Sequence, residues 1–358
     1  MRRKYVDWAR AVAILLMVEA HTLDSWTRLS ERGSHAFRYL TVLGGFAAPL
    51  FLWLAGLALV LSAERKAERT GSTRQAMSLV CRRGLEVFVL AFLFRIQAFI
   101  VSPGSPLITI FRVDILNVMG PAMAAAGVVW GATRGGKARA FAFSTLAVAT
   151  AMVTPIVRAS SRVSALPLWV QWYVRPMGDY TTFTLFPWIA FLFAGAAAGA
   201  IVSAARSAKQ ERQANVAFAI AGAALVVLGF VTAARPAIYA QTSFWTTSPT
   251  FFAIRLGLLM LTLPMLYAGE LALSRRGIAL ERFEKVGRSS LFVYWIHVEL
   301  VYGYATWPLR HHLTLWQVAI AYSLFTAALY AAILLRDRVV AAWRARRAAP
   351  SPMTAATA

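Results

Sequence analysis

The chain has 358 residues, of which 59% are hydrophobic and only 15% are charged. A water-soluble domain is about 45–50% apolar with about a quarter of its residues charged, so the composition excludes a soluble globule. The net charge is +22, but Lys and Arg stand in short clusters between apolar runs, and we expect no nucleic-acid partner. The single cysteine excludes an internal disulfide, and we expect no metal site.

Apolar stretches long enough to cross a membrane recur along the whole chain. Each needs roughly 18 or more residues to span a ~30 Å hydrocarbon layer as a helix, and lipid leaves no other way to satisfy the backbone. The predicted fold is therefore an all-α, polytopic membrane protein of about ten transmembrane helices. The predicted spans are residues 8–28, 42–62, 79–100, 108–131, 140–157, 183–204, 214–234, 250–272, 289–305 and 314–335.

The basic residues predict the orientation of these spans. The segments on the N-terminal side carry 23 Lys and Arg, and those on the opposite side carry 8. Because basic loops stay in the cytoplasm, we expect a protein of an inner membrane with both termini in the cytoplasm. We predict one transmembrane domain over residues 1–347 and a disordered cytoplasmic tail over residues 348–358.

The first predicted span is unusually rich in ionisable residues. At 100° per residue, His21 lies about 20° from Arg10, with Asp7 about 60° to one side and Asp24 about 40° to the other. These four residues form one stripe, and Glu19 lies on the opposite face. A charged residue inside a span costs ~2.5–3.5 kcal/mol, so we expect the stripe to face an interior groove. A functional role is favoured for His21.

Other spans also contain polar groups. Four of these charges are better explained by structural roles: Arg82, Glu86, Glu270 and Glu299. For His297, at the end of the run from Gly287, structural and functional roles are equally favoured.

The segment from Tyr5 to His21 resembles the opening helix of the transmembrane acyltransferases. It is most similar to bacterial proteins that carry the heparan-alpha-glucosaminide N-acetyltransferase catalytic domain. The spacing of Asp7, Arg10 and His21 also matches the related acyltransferase-three family. Weaker matching stretches follow in the expected order, at residues 44–56, 112–117, 183–195 and 287–297.

The chain departs from the family pattern at two points. The usual Arg-Gly reads Arg10-Ala11, and the position of His21 looks like an Asn in the animal enzymes. Asp24 or His35 is the nearest counterpart to their candidate catalytic histidine. These departures leave the acceptor open, as well as the choice between N- and O-acetylation.

The resemblance implies transfer of an acetyl group from acetyl-CoA to an amino sugar or an envelope glycan. His21 would be the general base, with Asp24 orienting its ring and His297 as a further catalytic candidate, or His21 would carry the acetyl group covalently. Four arginines would hold the CoA phosphates: Arg10, Arg82, Arg83 and Arg288. Acceptor binding is predicted for Asp114, Asn117, Trp26 and Arg95. The partners are the lipid bilayer and the acceptor, and a homo-oligomer stays open.

Two other classes of function compete with this prediction. A proton-coupled transporter or flippase would use buried His, Asp and Arg residues as a proton relay. The lack of internal repeats in the sequence counts weakly against it. A structural or sensory membrane protein would leave the buried charges unexplained.

Overall fold

The computed structural model describes residues 3–101 and 106–348, and its regular elements there are helices joined by turns. The helices group into two compact units. Unit 1 comprises Met1–Ala9 and Gly45–Ala279, and unit 2 comprises Arg10–Gly44 and Leu280–Ala358. The first helix, α1 (Lys4–Trp26), contributes residues to both units. Of the predicted tail, residues 349–358 lie outside the described residues.

Unit 1 is built from eight described helices besides the start of α1. They are α3 (Ala47–Thr70), α4 (Thr73–Val101), α5 (Ile115–Ala132), α6 (Gly136–Ala159), α7 (Leu168–Val174), α8 (Leu185–Ala204), α9 (Ala208–Ala233) and α10 (Pro249–Arg275). Unit 2 contains four described helices besides the rest of α1. They are α2 (His35–Gly44), α11 (Glu281–Arg288), α12 (Ser290–Tyr302) and α13 (Leu315–Ala348).

The central packing of unit 1 is a close crossing of α3 and α8. A methyl group on Gly56 would overlap the carbonyl oxygen of Leu192, and one on Gly195 would overlap that of Trp53. Glycine is needed at both positions because each helix backbone lies directly against the other. Small residues at helix interfaces are the usual means of close packing in membranes. Two of the stretches that resemble the family end at these glycines.

A charged clamp joins three helices of unit 1. Arg139 of α6 forms an ion pair with Glu64 of α3 and lies with its guanidinium 4.3 Å from the ring centre of Trp130 of α5. The Trp130 indole N–H also donates to the Glu64 carboxylate, at 3.2 Å. Arg139 is only 8% exposed, so the carboxylate and the aromatic face together stabilise a nearly buried cation.

The core of unit 2 forms where α1, α12 and α13 meet. Leu23, Trp26, Val301 and Val318 are buried there, and partly buried apolar residues of α2 pack against them. The ring of Trp26 meets that of Phe325 edge to face, with the centroids 5.6 Å apart. The C-terminal half of α1 is thereby held against α12, which fixes the position of His21 and Asp24.

Each predicted span coincides with a described helix, within a few residues at most ends. In the described part, seven helical segments are long and apolar enough to cross a membrane, and the chain is a multi-pass membrane protein. α1 and α4 are also long, but charged residues interrupt them, and α12 has only 13 residues. At 1.5 Å per residue α12 is roughly 20 Å long, shorter than a ~30 Å hydrocarbon core. The number ten and the location of the termini therefore stay predictions.

Candidate functional site

Two histidines that are 276 residues apart in the sequence meet in unit 2. The Nδ1 atom of His21 in α1 lies 2.8 Å from the Nε2 atom of His297 in α12. The ring planes differ by 4° and the ring centroids are 5.0 Å apart. Parallel rings whose nearest nitrogens are much closer than their centroids lie edge to edge, as in an in-plane hydrogen bond, and are not stacked face to face. His297 is fully buried, at 0% exposure.

The surroundings of His297 decide how the protons are arranged. Its Nδ1 atom lies 2.8 Å from the backbone carbonyl oxygen of Val293. A carbonyl oxygen only accepts, so Nδ1 of His297 carries the hydrogen and Nε2 of the neutral ring is an acceptor. His21 must then donate from Nδ1, which leaves the lone pair of neutral His21 on Nε2. The Val293 carbonyl thus selects the His21 tautomer that accepts a proton at Nε2.

Asp24 is connected to this pair through a tyrosine. The Tyr302 hydroxyl donates to Oδ2 of Asp24 at 2.9 Å, and the Tyr302 ring meets the His21 ring edge on, with the centroids 5.6 Å apart. A second contact joins Oδ1 of Asp24 to Arg32, at 3.8 Å. Nδ1 of His21 contacts His297, and Asp24 reaches the pair through Tyr302, so its ring-orienting role stays a prediction. The Asp24 side chain is 61% exposed and lies at the rim of the site.

Trp26, a predicted acceptor-binding residue, belongs to the core of unit 2. It is 1% exposed, and its indole N–H donates to the carbonyl oxygen of Val301 at 3.3 Å. The hydroxyl of Ser25 donates to the same carbonyl oxygen at 3.1 Å. These contacts support a packing role for Trp26, which fixes the end of α1 against α12.

The other three predicted acceptor-binding residues lie together in unit 1. Arg95 of α4 forms an ion pair with Asp114, the residue before α5. Asp114 accepts from the Ile115 N–H at 3.1 Å, and its own N–H donates to Oδ1 of Asn117 at 3.0 Å. The Asp114 side chain also accepts from the backbone N–H of Asn117, which completes a capping box and satisfies backbone groups at the helix start. Asp114 and Asn117 thus start α5, and acceptor binding by these two residues and Arg95 stays a prediction.

The four arginines predicted to hold CoA phosphates are divided between the units. Arg82 and Arg83 are exposed on α4 of unit 1 and share one carboxylate, that of Glu86, at 3.4 and 3.0 Å. Arg10 and Arg288 belong to unit 2. Arg288 is exposed, and its Nε donates to the carbonyl oxygen of Glu284 at 3.4 Å.

Glu19 lies on the face of α1 opposite the stripe and is partly exposed. Both carboxyl oxygens are inaccessible to solvent and have no hydrogen-bond partner among the described residues. A methyl group on Gly44 would come within 2.6 Å of Oε2. The fit between Glu19 and α2 therefore depends on the glycine at that position.

The comparison with protein families identifies the family of this chain. The family profile described as "Heparan-alpha-glucosaminide N-acetyltransferase, catalytic" matches residues 2–233. The chain belongs to this family. A comparison with curated proteins gives no match. The matched range contains His21 and ends before α12, so the family assignment does not depend on His297.

Membership of the heparan-alpha-glucosaminide N-acetyltransferase catalytic-domain family makes this chain a membrane acetyltransferase.

Sequence reasoning missed two contributors to its candidate site, Tyr302 and the Val293 carbonyl. The position of Val293, one helical turn before His297, could have suggested a contact to the ring. Within the described residues, no group of three or more His, Cys, Asp or Glu side chains is arranged to hold a metal ion.

Proposed function

We propose that this membrane protein transfers an acetyl group from acetyl-CoA to the amine or hydroxyl of an amino sugar or an envelope glycan. The observation that carries the proposal is the in-plane contact between His21 and His297, because it leaves a basic nitrogen on His21. A general base must accept a proton from the attacking group, and a neutral imidazole of fixed tautomer is suited to that role.

His21 takes part in the reaction through its proton. As the acceptor nitrogen or oxygen bonds to the acetyl carbon, its proton passes to Nε2 of His21. The carbon–sulfur bond of the thioester then breaks, and the same proton goes to the departing thiolate. His297 accepts from Nδ1 throughout, and this hydrogen bond strengthens when the His21 ring becomes positive. His297 is therefore a positioning residue that also stabilises the imidazolium.

The donor is a polyanion, and the arginines offer suitable charge. Arg82 and Arg83 share the single carboxylate of Glu86, so this group keeps a net positive charge at the surface. The Nε of Arg288 donates to a neutral carbonyl, and no carboxylate of the described residues forms an ion pair with it. Arginine forks bind phosphate oxygens well. We propose each of these arginines, and Arg10, as a candidate ligand for the phosphates of CoA on the cytoplasmic side.

Two routes for the acetyl group fit the same geometry. In direct transfer His21 handles only a proton, whereas in the covalent route its Nε2 attacks the thioester and becomes acetylated. Incubation with labelled acetyl-CoA in the absence of acceptor separates them. Stable label on the protein that disappears in His21→Ala supports the covalent route. Label that stays entirely on CoA supports direct transfer.

Release of free thiol from acetyl-CoA by the purified protein in detergent tests the proposed function. We expect release to require an amino-sugar acceptor such as glucosamine, and to fall by ~10²–10⁴-fold in His21→Ala. Mass spectrometry of the product distinguishes N- from O-acetylation. The proposal is wrong if the parent protein releases no thiol with any amino sugar or glycan acceptor tested, while remaining folded and binding acetyl-CoA.

We further propose that the chain lies in a bacterial inner membrane with both termini in the cytoplasm. The distribution of 23 and 8 basic residues between the two sides supports this orientation. It places the CoA arginines on the side where CoA is available and the outer end of α1, with Asp24, on the side of envelope glycans.

A further inference from the structure

One face of α9 in unit 1 carries an open groove of about 410 Å³. The residues that line it are Lys209, Arg212, Gln213, Val216, Ala217 and Ile220. The buried residues of the same helix are Ala214, Asn215, Phe218, Gly222 and Gly229. At 100° per residue, the mean direction of the groove residues is about 170° from that of the buried residues. The groove therefore lies on the face of α9 opposite the one that packs against its unit.

One end of this groove is positively charged. Lys209 and Arg212 are exposed, and neither forms an ion pair within the described residues. Glu211 stands between them in the sequence but belongs to the other face of the helix. Its carboxylate accepts from Nε of Arg3 at 2.8 Å and from the Tyr5 hydroxyl at 2.9 Å. The acidic residue of this turn is thus engaged elsewhere, and the groove keeps two positive charges.

The other end of the groove is apolar and continues along α9. Val216 and Ile220 are 50% and 67% exposed, and Val227 and Val231 follow on the same face at 61% and 54%. Val216 and Val231 lie about 22 Å apart along the helix axis. One leaflet is half of a ~30 Å hydrocarbon core. The apolar stripe is therefore long enough to contact an acyl chain through the whole depth of a leaflet.

The basic and apolar parts of the groove are adjacent on one helix. Arg212 and Val216 are one helical turn apart, about 6 Å along the axis. When the apolar stripe lies in the hydrocarbon, both cations lie at the depth of the lipid phosphates, which long basic side chains reach by extending toward the membrane surface. A soluble anion would contact the basic end alone, whereas a phospholipid matches both ends.

We propose that this groove binds one anionic phospholipid, whose phosphate contacts Lys209 and Arg212 and whose acyl chain lies along the apolar stripe. The groove selects lipids of net negative charge, because the cation of a zwitterionic headgroup would be repelled by the same two side chains. A lipid that binds the folded protein stabilises it by mass action. The site does not depend on the proposed acetyl transfer.

Native mass spectrometry of the purified full-length protein tests this site, with phosphatidylglycerol and phosphatidylcholine of identical acyl chains as the probes. One basic residue near anionic lipid strengthens the attraction by roughly fivefold. We expect the parent to bind phosphatidylglycerol at least about fivefold more tightly than phosphatidylcholine and to gain a higher Tm from it. The double variant Lys209→Gln/Arg212→Gln should fold, bind both lipids equally and lose this difference in Tm.

The matched control is Arg65→Gln/Arg69→Gln, which removes two exposed arginines from α3 of the same unit. Within Ala47–Thr70, α3 has no exposed large apolar residue, so these arginines stand above no apolar stripe. The control should keep the preference of the parent for phosphatidylglycerol.

Four results would overturn the proposal. Two of them are equal affinity of the parent for both lipids and an unchanged preference in the folded Lys209→Gln/Arg212→Gln protein. The third is an equal loss of preference in the control, which would indicate general surface charge. The fourth is displacement of phosphatidylglycerol from the parent by glycerol 3-phosphate or acetyl-CoA, which would assign the basic end to a soluble phosphate compound.

Discussion

Replacement of His297 by alanine tests the contribution of the hydrogen bond between the two histidines. His297 accepts from Nδ1 of His21 at a distance of 2.8 Å. A neutral hydrogen bond contributes about 0.5–1.5 kcal/mol and one to a charged group about 1.5–3 kcal/mol. Only the increase in hydrogen-bond strength that occurs when His21 becomes positive speeds the reaction. This increase is about 1–1.5 kcal/mol, or roughly tenfold in kcat. Loss of the fixed tautomer adds to this effect, so we expect His297→Ala to reduce kcat by about 10- to 100-fold.

Thiol release from acetyl-CoA, measured over a range of donor and acceptor concentrations, separates this effect from binding. We expect kcat to fall while KM for both substrates stays within about twofold, because the hydrogen bond strengthens only in the transition state. His21→Ala should lose more, ~10²–10⁴-fold. His312→Ala, which removes an exposed histidine of the same unit, is the control and should match the parent. A His297→Ala protein with the kcat of the parent would refute the role of the pair. A greater loss in His297→Ala than in His21→Ala would place the base on α12.

Three further predictions concern orientation, pH and packing. Cysteines introduced at residues 164–178 should react with an impermeant reagent from outside, and labelling of residues 205–213 from outside would contradict the ten-helix topology. The backbone N–H of Leu315, with help from a neighbouring arginine, lowers the pKa of the Glu31 carboxyl. The contribution of the ionised Glu31 carboxyl to stability is therefore complete above the ordinary glutamate pKa of about 4.3. It is lost as the pH falls through the lower pKa that this carboxyl has in the folded protein. The Tm of the parent should fall more steeply with acidification in this window than that of Glu31→Gln, and parallel curves would contradict this. Gly195→Val should destabilise the protein by about 1–3 kcal/mol, seen as a lower Tm in detergent, and an unchanged Tm would mean that α3 and α8 are not in close contact.

The helices were predictable from the sequence because the signal for them is local. Runs of apolar residues predicted every long helix, and the observed helices extend beyond the runs where charged residues also favour helix, as in α13. The short helices α2, α7 and α11 were not predicted. The shortest of them, α7, has seven residues, too few for an apolar period to stand out from the background.

The candidate site was predicted in part, for the same reason. The 100° period of α1 identified His21, Arg10 and Asp24 as one stripe, since all three lie on one helix. No pattern in the sequence relates His21 to His297, because tertiary contacts, among them the packing of Trp26, bring α12 to α1. Conversely, the spacing of Asp114 and Asn117 is that of a helix cap and could have been read as one.

The carbonyl of Val293 sets a limit on where protons can travel. A proton taken up by Nε2 of His21 could be passed from Nδ1 of His21 to His297. Nδ1 of His297, however, already donates its hydrogen to the backbone carbonyl oxygen of Val293. A backbone carbonyl accepts a hydrogen bond and does not pass a proton onward. The pair therefore does not relay a proton beyond His297. A proton taken from the acceptor must leave His21 on the side from which it came. Catalysis by these histidines should then move no net charge across the bilayer, and its rate should be independent of the membrane potential.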